Sequence, residues 1–167
     1  MARKYYIGKL GKFKYDNTEF KLINGYLRYI GAETDGSKIK IPKGITNCGF
    51  MFCGCSSLIE PPEIPVGVTD CISMFYGCVS LTKAPEIPEG VTYCLSMFSG
   101  CKSLVRAPEI PVGADCDCMF LGCSSLKNYS FNNAPYRNEM YCSCPPSIIQ
   151  EIDSFVQKFK ERNQLND

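Results

Sequence analysis

Histidine is missing from all 167 residues. That absence removes Ser-His-Asp and Cys-His nucleophile pairs, imidazole metal sites and imidazole acid–base chemistry, so most hydrolase mechanisms are excluded. Long apolar runs are missing too: no window approaches the roughly eighteen apolar residues of a membrane-spanning helix. The chain opens MARKYYIGKLGKFKYD, where lysines interrupt each short apolar run that a secretory signal needs intact. The expectation is a cytoplasmic protein without membrane contact. The spacing C-x-x-C, the commonest mark of a zinc or dithiol site, is absent as well. What remains fits one globular domain, with 45% apolar and 21% charged residues.

Cysteine, by contrast, is abundant, at 12 residues. In a small exported protein this would mark a disulfide scaffold; with no export signal in view, a reducing compartment is expected. The net charge of +1 conceals an asymmetry: residues 1–50 carry ten Lys/Arg against four Asp/Glu, and residues 51–123 carry three against eight. The amino-terminal part is basic and the middle acidic.

The chain repeats itself. From Cys55 it reads CSSLIEPPEIPVGVTDCISMFYG, from Cys78 CVSLTKAPEIPEGVTYCLSMFSG, and from Cys101 CKSLVRAPEIPVGADCDCMFLG, units of 23, 23 and 22 residues. A worn copy follows from Cys123, and half a copy, IPKGITNCGFMFCG, precedes them over residues 41–54. A fixed period in this range identifies a solenoid, because no unit buries its apolar face except against the next. Equivalent side chains should therefore stack in columns: Leu58, Leu81, Leu104 and Leu126; Ile41, Ile64, Ile87 and Ile110; Phe52, Phe75, Phe98, Phe120 and Tyr141. Met51, Met74, Met97, Met119 and Met140 run beside the phenylalanines as core filler.

The pattern C-x-S-L-x-x-A-P-x-I-P-x-G-V-T-x-C-x-S-M-F-x-G resembles the leucine-rich repeats of the BspA-like type, found in bacterial surface proteins, some protists and phage-encoded proteins. The likeness covers residues 39–144. It departs from the family's L-x-x-I-x-I-P by an extra proline, so Pro62, Pro85 and Pro108 should make the short strand of each coil irregular. The resemblance implies a surface that binds another protein and no enzymatic activity.

Both ends read as caps. Residues 1–40 alternate aromatics with lysines, with a hairpin signal at Asn24-Gly25. In residues 145–167, Ile148, Ile149, Ile152, Phe155, Val156 and Phe159 recur at helical spacing after Pro145-Pro146. The expected fold class is α+β: a short leucine-rich-repeat solenoid of four to five coils (41–144), a β-rich amino-terminal cap of two or three strands (1–40) and a helical carboxy-terminal cap (145–167).

The cysteines fall into two columns, Cys55, Cys78, Cys101, Cys123 and Cys144 in one and Cys48, Cys71, Cys94 and Cys116 in the other. Buried thiols suit coils stacked about 5 Å apart, although the same spacing admits disulfides. A zinc reading rests on Cys116, Cys118, Cys123, Cys142 and Cys144, in the last two coils. No metal, cofactor or small-molecule substrate is expected.

Charged columns are the candidate binding residues. Glu63, Glu86 and Glu109 share one position in successive units, and Glu60, Lys83, Arg106 and Asn128 share another, from which Lys83 and Arg106 are placed to neutralise the carboxylates. Together with Asp70, Asp115 and Asp117 they suggest an acidic docking strip for a basic protein partner. In its most specific form, drawn from the phage-encoded members of the resembling family, the chain inhibits a host defence complex by covering a nucleic-acid-binding surface. Two alternatives stand beside this: a surface or secreted adhesin, and nucleic-acid binding through Lys9, Lys12, Lys14, Lys21 and Arg28, interleaved with tyrosines. Nucleic acid is the less expected partner.

Overall fold

The structure, a computed structural model of the chain, describes residues 19–127. It opens with a hairpin of β1 (Phe20–Ile23) and β2 (Tyr26–Tyr29), antiparallel, with Phe20 opposite Tyr29 and Ile23 opposite Tyr26. Asn24 (φ 52) and Gly25 (φ 84) hold the two left-handed positions of a two-residue hairpin turn, the conformation that Asn-Gly tolerates best.

From there the chain winds into coils. Along the segment after Cys48, alternate backbone N–H groups donate to the next coil: Cys48 to Asp70 (2.8 Å), Phe50 to Ile72 (2.9 Å), Phe52 to Met74 (2.9 Å) and Gly54 to Tyr76 (2.7 Å). The intervening N–H groups turn back locally, Met51 to Cys48, Cys53 to Phe50 and Cys55 to Phe52 at 3.0–3.1 Å. The same two-way pattern recurs from Cys71 and from Cys94. Such a path needs left-handed residues, which Phe50, Ser73, Ser96 and Cys118 supply at φ 51–58, and Gly54, Gly77, Gly100 and Gly122 at φ 71–79. The segment is a train of linked turns stacked in parallel, and from Cys48 to Cys55 each backbone N–H on it has an acceptor, Gly49 using the Asn47 side chain.

The opposite side of each coil pairs more sparsely. Ile59 donates to Thr34, Thr82 to Ile59, Val105 to Thr82 and Lys127 to Val105, at 2.9–3.2 Å. Past these residues come the prolines, and from 61 to 65, 84 to 88 and 107 to 111 no backbone bond to a neighbouring coil forms among the described residues. Proline brings no donor and holds the backbone extended, so the irregular strand expected from the sequence is here reduced to the bonds just before it and the Asp35–Glu60 bridge; the other isolated parallel bridges, Asn47–Asp70, Asp70–Tyr93 and Tyr93–Asp115, lie beyond the turn that follows. The chain then reverses at Pro65-Val66-Gly67-Val68 and its equivalents, where the Val68 N–H returns to the Pro65 carbonyl and Gly67 (φ 96) takes the left-handed corner.

The columns enclose a core without polar side chains at its centre. Leu58, Leu81, Leu104 and Leu126 are buried, as are Met51, Met74, Met97 and Met119. The Phe52, Phe75, Phe98 and Phe120 rings stack face to face with centroids 5.5, 5.6 and 5.8 Å apart and planes within 10° of parallel. Stacking this regular reports the coil spacing directly. Of the isoleucine column, Ile41, Ile64 and Ile110 are buried and Ile87 packs against the core half-exposed.

The hairpin completes the column at its open end. The Tyr29 N–H donates to the Met51 carbonyl at 2.7 Å, as Phe52 does to Met74 one coil later, so β2 occupies the register of a preceding coil. Its Tyr29 ring lies 5.2 Å from Phe52, and Phe20 closes over both at 5.4 and 6.2 Å. Coil pairing also starts earlier than residue 41: Thr34 already accepts from Ile59, and the Gly36 N–H donates to Glu60 at 2.8 Å. Here a 3-10 turn, Gly36–Lys38, capped by the Asp35 side chain, stands where later coils have their prolines, which hides the coil from a repeat search. A Cβ on Gly36 would run into the Glu60 carbonyl and the Pro61–Pro62 peptide.

Among the described residues there is no α-helix. The helix expected over 145–167, and with it Asn128, Met140, Tyr141, Cys142 and Cys144, lies outside them.

Phe75→Ala opens the centre of the ring column and should lower unfolding stability by about 3–5 kcal/mol in urea melts, whereas Val66→Ala, at a turn tip 94% exposed, should change it by less than about 0.5 kcal/mol. Equal melts for the two variants would contradict the stacked core.

Candidate interaction surface

With the interior filled, chemistry is confined to the outer columns. Glu63, Glu86 and Glu109 are all exposed on the proline-rich stretch, and no hydrogen bond or ion pair engages their carboxylates among the described residues. Proline on either side holds them there: the sequence P-E-I-P buries the isoleucine and turns the glutamate outward. Lys83 does not serve this column. Its ammonium pairs with Glu60, the residue one coil earlier in its own column. The pair is partly solvated and contributes little stability, but it engages the lysine with Glu60 and not with the glutamate column. Arg106, at the same position one coil on, is exposed.

Asp70 and Asp115 stand elsewhere, beyond the Pro-x-Gly reversal, in the bridge column of Asn47, Asp70, Tyr93 and Asp115. Asp70 is half-buried there: Oδ1 accepts the Ile72 N–H at 2.9 Å and Oδ2 accepts from Asn47 Nδ2 at 2.9 Å. Burial raises its pKa above the ordinary carboxylate value, and the two hydrogen bonds only partly offset this. Asp117 offers its backbone carbonyl to the Ser96 N–H of the previous coil. Asp70 and Asp115 thus stand in a different column from the glutamates, with Tyr93 between them. Asp115 also absorbs the one-residue shortening of its unit, since it alone makes the two bonds that Thr92 and Tyr93 share one coil earlier: its N–H donates to Thr92 and its carbonyl accepts from Cys94.

Of the basic amino-terminal residues, Lys21 is exposed on β1, while Arg28 turns inward and donates from Nη2 to the Cys53 carbonyl at 2.6 Å, fastening the hairpin to the first coil. Lys9, Lys12 and Lys14 lie outside the described residues. The sequence reading missed the roles of Arg28 and of Asn47; the recurrence of Asn47, Asp70, Tyr93 and Asp115 one repeat apart was the available signal for the second.

Among the described residues no two cysteines are joined in a disulfide. In one column the S–H reaches back to the phenylalanine carbonyl of the preceding coil: Cys78 to Phe52 (3.1 Å), Cys101 to Phe75 (3.2 Å) and Cys123 to Phe98 (3.1 Å). Burial pushes Cys48 and Cys94 up to about 12 and raises Cys71, Cys78 and Cys101 as well. Cys53, Cys55 and Cys118 are only partly covered. No group of three or more potential metal ligands gathers among the described residues, and no helix there is long and apolar enough to cross a membrane.

This architecture is similar to that of two solved structures. One is a leucine-rich repeat protein from Bacteroides ovatus, with a TM-score of 0.46 and 19% identity over 71% of this chain and 41% of that one. The other is a leucine-rich cell surface protein from Faecalibacterium prausnitzii, with a TM-score of 0.41 and 21% identity over 77% of this chain and 43% of that one. The chain spans less than half the length of either. No protein-family model matches the chain, and no curated protein does.

In the folded protein at about pH 8, iodoacetamide should modify Cys53 and Cys118 at least about tenfold faster than Cys48, Cys71 or Cys94, as read by peptide mass spectrometry. Uniform labelling would contradict the buried thiol columns. Because the folded pKa of Asp70 is raised, the native state holds that proton more tightly than the unfolded chain. Stability should therefore fall as pH rises from the ordinary carboxylate value through the raised one. Asp70→Asn should remove that part of the slope; parallel pH profiles for variant and wild type would refute it.

Proposed function

We propose that the chain is a non-enzymatic protein-binding module whose docking strip is the Glu63, Glu86 and Glu109 column and whose partner presents a basic surface. The observation that carries this reading is the state of the column: three exposed carboxylates in successive coils, with no ion pair to any of them among the described residues. Like charges stacked on neighbouring coils cost roughly 0.2–1 kcal/mol per pair, and a cationic partner relieves that cost on binding. A solenoid also suits the role, since its rigid coils hold repeated side chains at fixed intervals on a surface that requires no cavity.

In its most specific form the partner is the nucleic-acid-binding face of a host defence complex, a surface already built to receive regularly spaced negative charge. A cytoplasmic setting agrees with columns of reduced thiols.

The test is the triple variant Glu63→Gln, Glu86→Gln, Glu109→Gln, first shown to melt like the wild type. Proteins captured from host lysate by the wild type, but not by the variant, should elute as salt is raised and should be displaced by duplex DNA. Identical capture and identical salt dependence for the two chains would sink the docking strip.

A further inference from the structure

The proline-rich face carries more than the glutamate column. Three residues earlier on the same stretch of each coil runs the column of Glu60, Lys83 and Arg106, so that in the second and third coils Lys83 and Arg106 precede Glu86 and Glu109 by about 10 Å of extended chain. No long side chain stands between the two columns: the intervening residues are Pro61-Pro62, Ala84-Pro85 and Ala107-Pro108, half-buried or buried. Arg106 makes no ion pair among the described residues, and neither does any of Glu63, Glu86 and Glu109. In the second and third coils, though not at Glu60, the two rows are of opposite sign, and there the face is complementary to itself.

We infer that this face pairs with the same face of a second copy, about a two-fold axis that runs along the solenoid between the two columns. That rotation exchanges the columns and keeps each coil level with its counterpart. Lys83 of each copy then meets Glu86 of the other, and Arg106 meets Glu109, four intermolecular pairs in all. Glu60 falls opposite Glu63, and Lys83, paired with Glu60 in its own chain, bridges that carboxylate and Glu86 of the second copy, so that Arg106 with Glu109 is the pair formed from unengaged groups. The alternative axis, across the solenoid, sets Lys83 against Lys83 and Glu63 against Glu109, and so is disfavoured. The small residues between the rows let the two backbones approach. At about 5 Å per coil and 3.3 Å per residue the face covers on the order of 300 Å² per copy, which places the dimer among weak, transient and salt-sensitive associations. This inference goes beyond the docking reading and does not depend on it; where both hold, a second copy and a basic partner compete for Glu86 and Glu109.

The experiment uses the purified full chain alone, so that a failure here leaves the basic-partner reading untouched. Sedimentation equilibrium at high protein concentration should show a dimer at about 20 mM salt that dissociates at about 500 mM. Two charge-reversed variants are compared with it: Lys83→Glu with Arg106→Glu, and Glu86→Lys with Glu109→Lys. All four positions are on the surface, and each variant is checked by its thermal melt. Each should be at least about tenfold weaker in self-association, while an equimolar mixture should recover a heterodimer, because the all-acidic face of one meets the cationic row of the other. A wild type that stays monomeric at low salt, a variant that associates as the wild type does, or a mixture that fails to associate would each overturn the inference.

Discussion

Everything in this fold depends on the coil-to-coil backbone bonds of the turn segment, in which every second N–H is given to the next coil and the others close local turns. A regular strand sends donors to both of its neighbours; here one set is spent within the coil, which shortens the path enough to reverse direction. The arrangement requires a left-handed residue at two points in each unit, one met by Phe50, Ser73, Ser96 or Cys118 and the other by glycine. Where glycine is used, the reason is its positive φ alone, because a Cβ on Gly100 would make only an ordinary contact, 3.5 Å, with the Gly77 Cα.

That constraint explains the unusual composition. Large apolar groups can stack only if each lies over its own kind, so phenylalanine, methionine and leucine recur at identical positions. Cysteine serves where the room is least. Its small thiol fills the gap between coils, and in the column of Cys78, Cys101 and Cys123 it also donates to a carbonyl that already accepts a turn hydrogen bond. A carbonyl oxygen has two lone pairs, so these bonds add to the turn without competing with it. The cost of ionising such thiols keeps them unreactive, and an abundance of cysteine is thus compatible with an inert interior.

On the outside, the same register decides electrostatics. Residues one unit apart become neighbours, and Lys83 finds Glu60 across the coil gap rather than Glu86 along its own chain. Columns of charge are consequently the natural functional vocabulary of this surface. Whether the occupant is a basic partner or a second copy, what it meets is a row of like groups at nearly fixed spacing, held by prolines that give up backbone bonding to keep the stretch extended.

The stacked core was legible from the sequence because a 23-residue recurrence of Leu, Phe, Met and Cys has no economical explanation other than superposition, and the Asn24-Gly25 hairpin was legible because few residue pairs tolerate two consecutive positive φ angles. The glutamate column was legible for the same reason, as a repeated position flanked by prolines. Other features were not. Nothing in residues 20–29 repeats the unit, yet Tyr29 supplies the ring that ends the phenylalanine column and Arg28 ties the hairpin to Cys53; nothing in residues 34–40 resembles a coil, yet Thr34 and Gly36 pair as one. A sequence pattern records which residues recur, whereas contacts at the end of a stack are made by whatever segment covers it. That choice is settled by shape and by unsatisfied backbone groups in three dimensions, and so only the tertiary structure decided it.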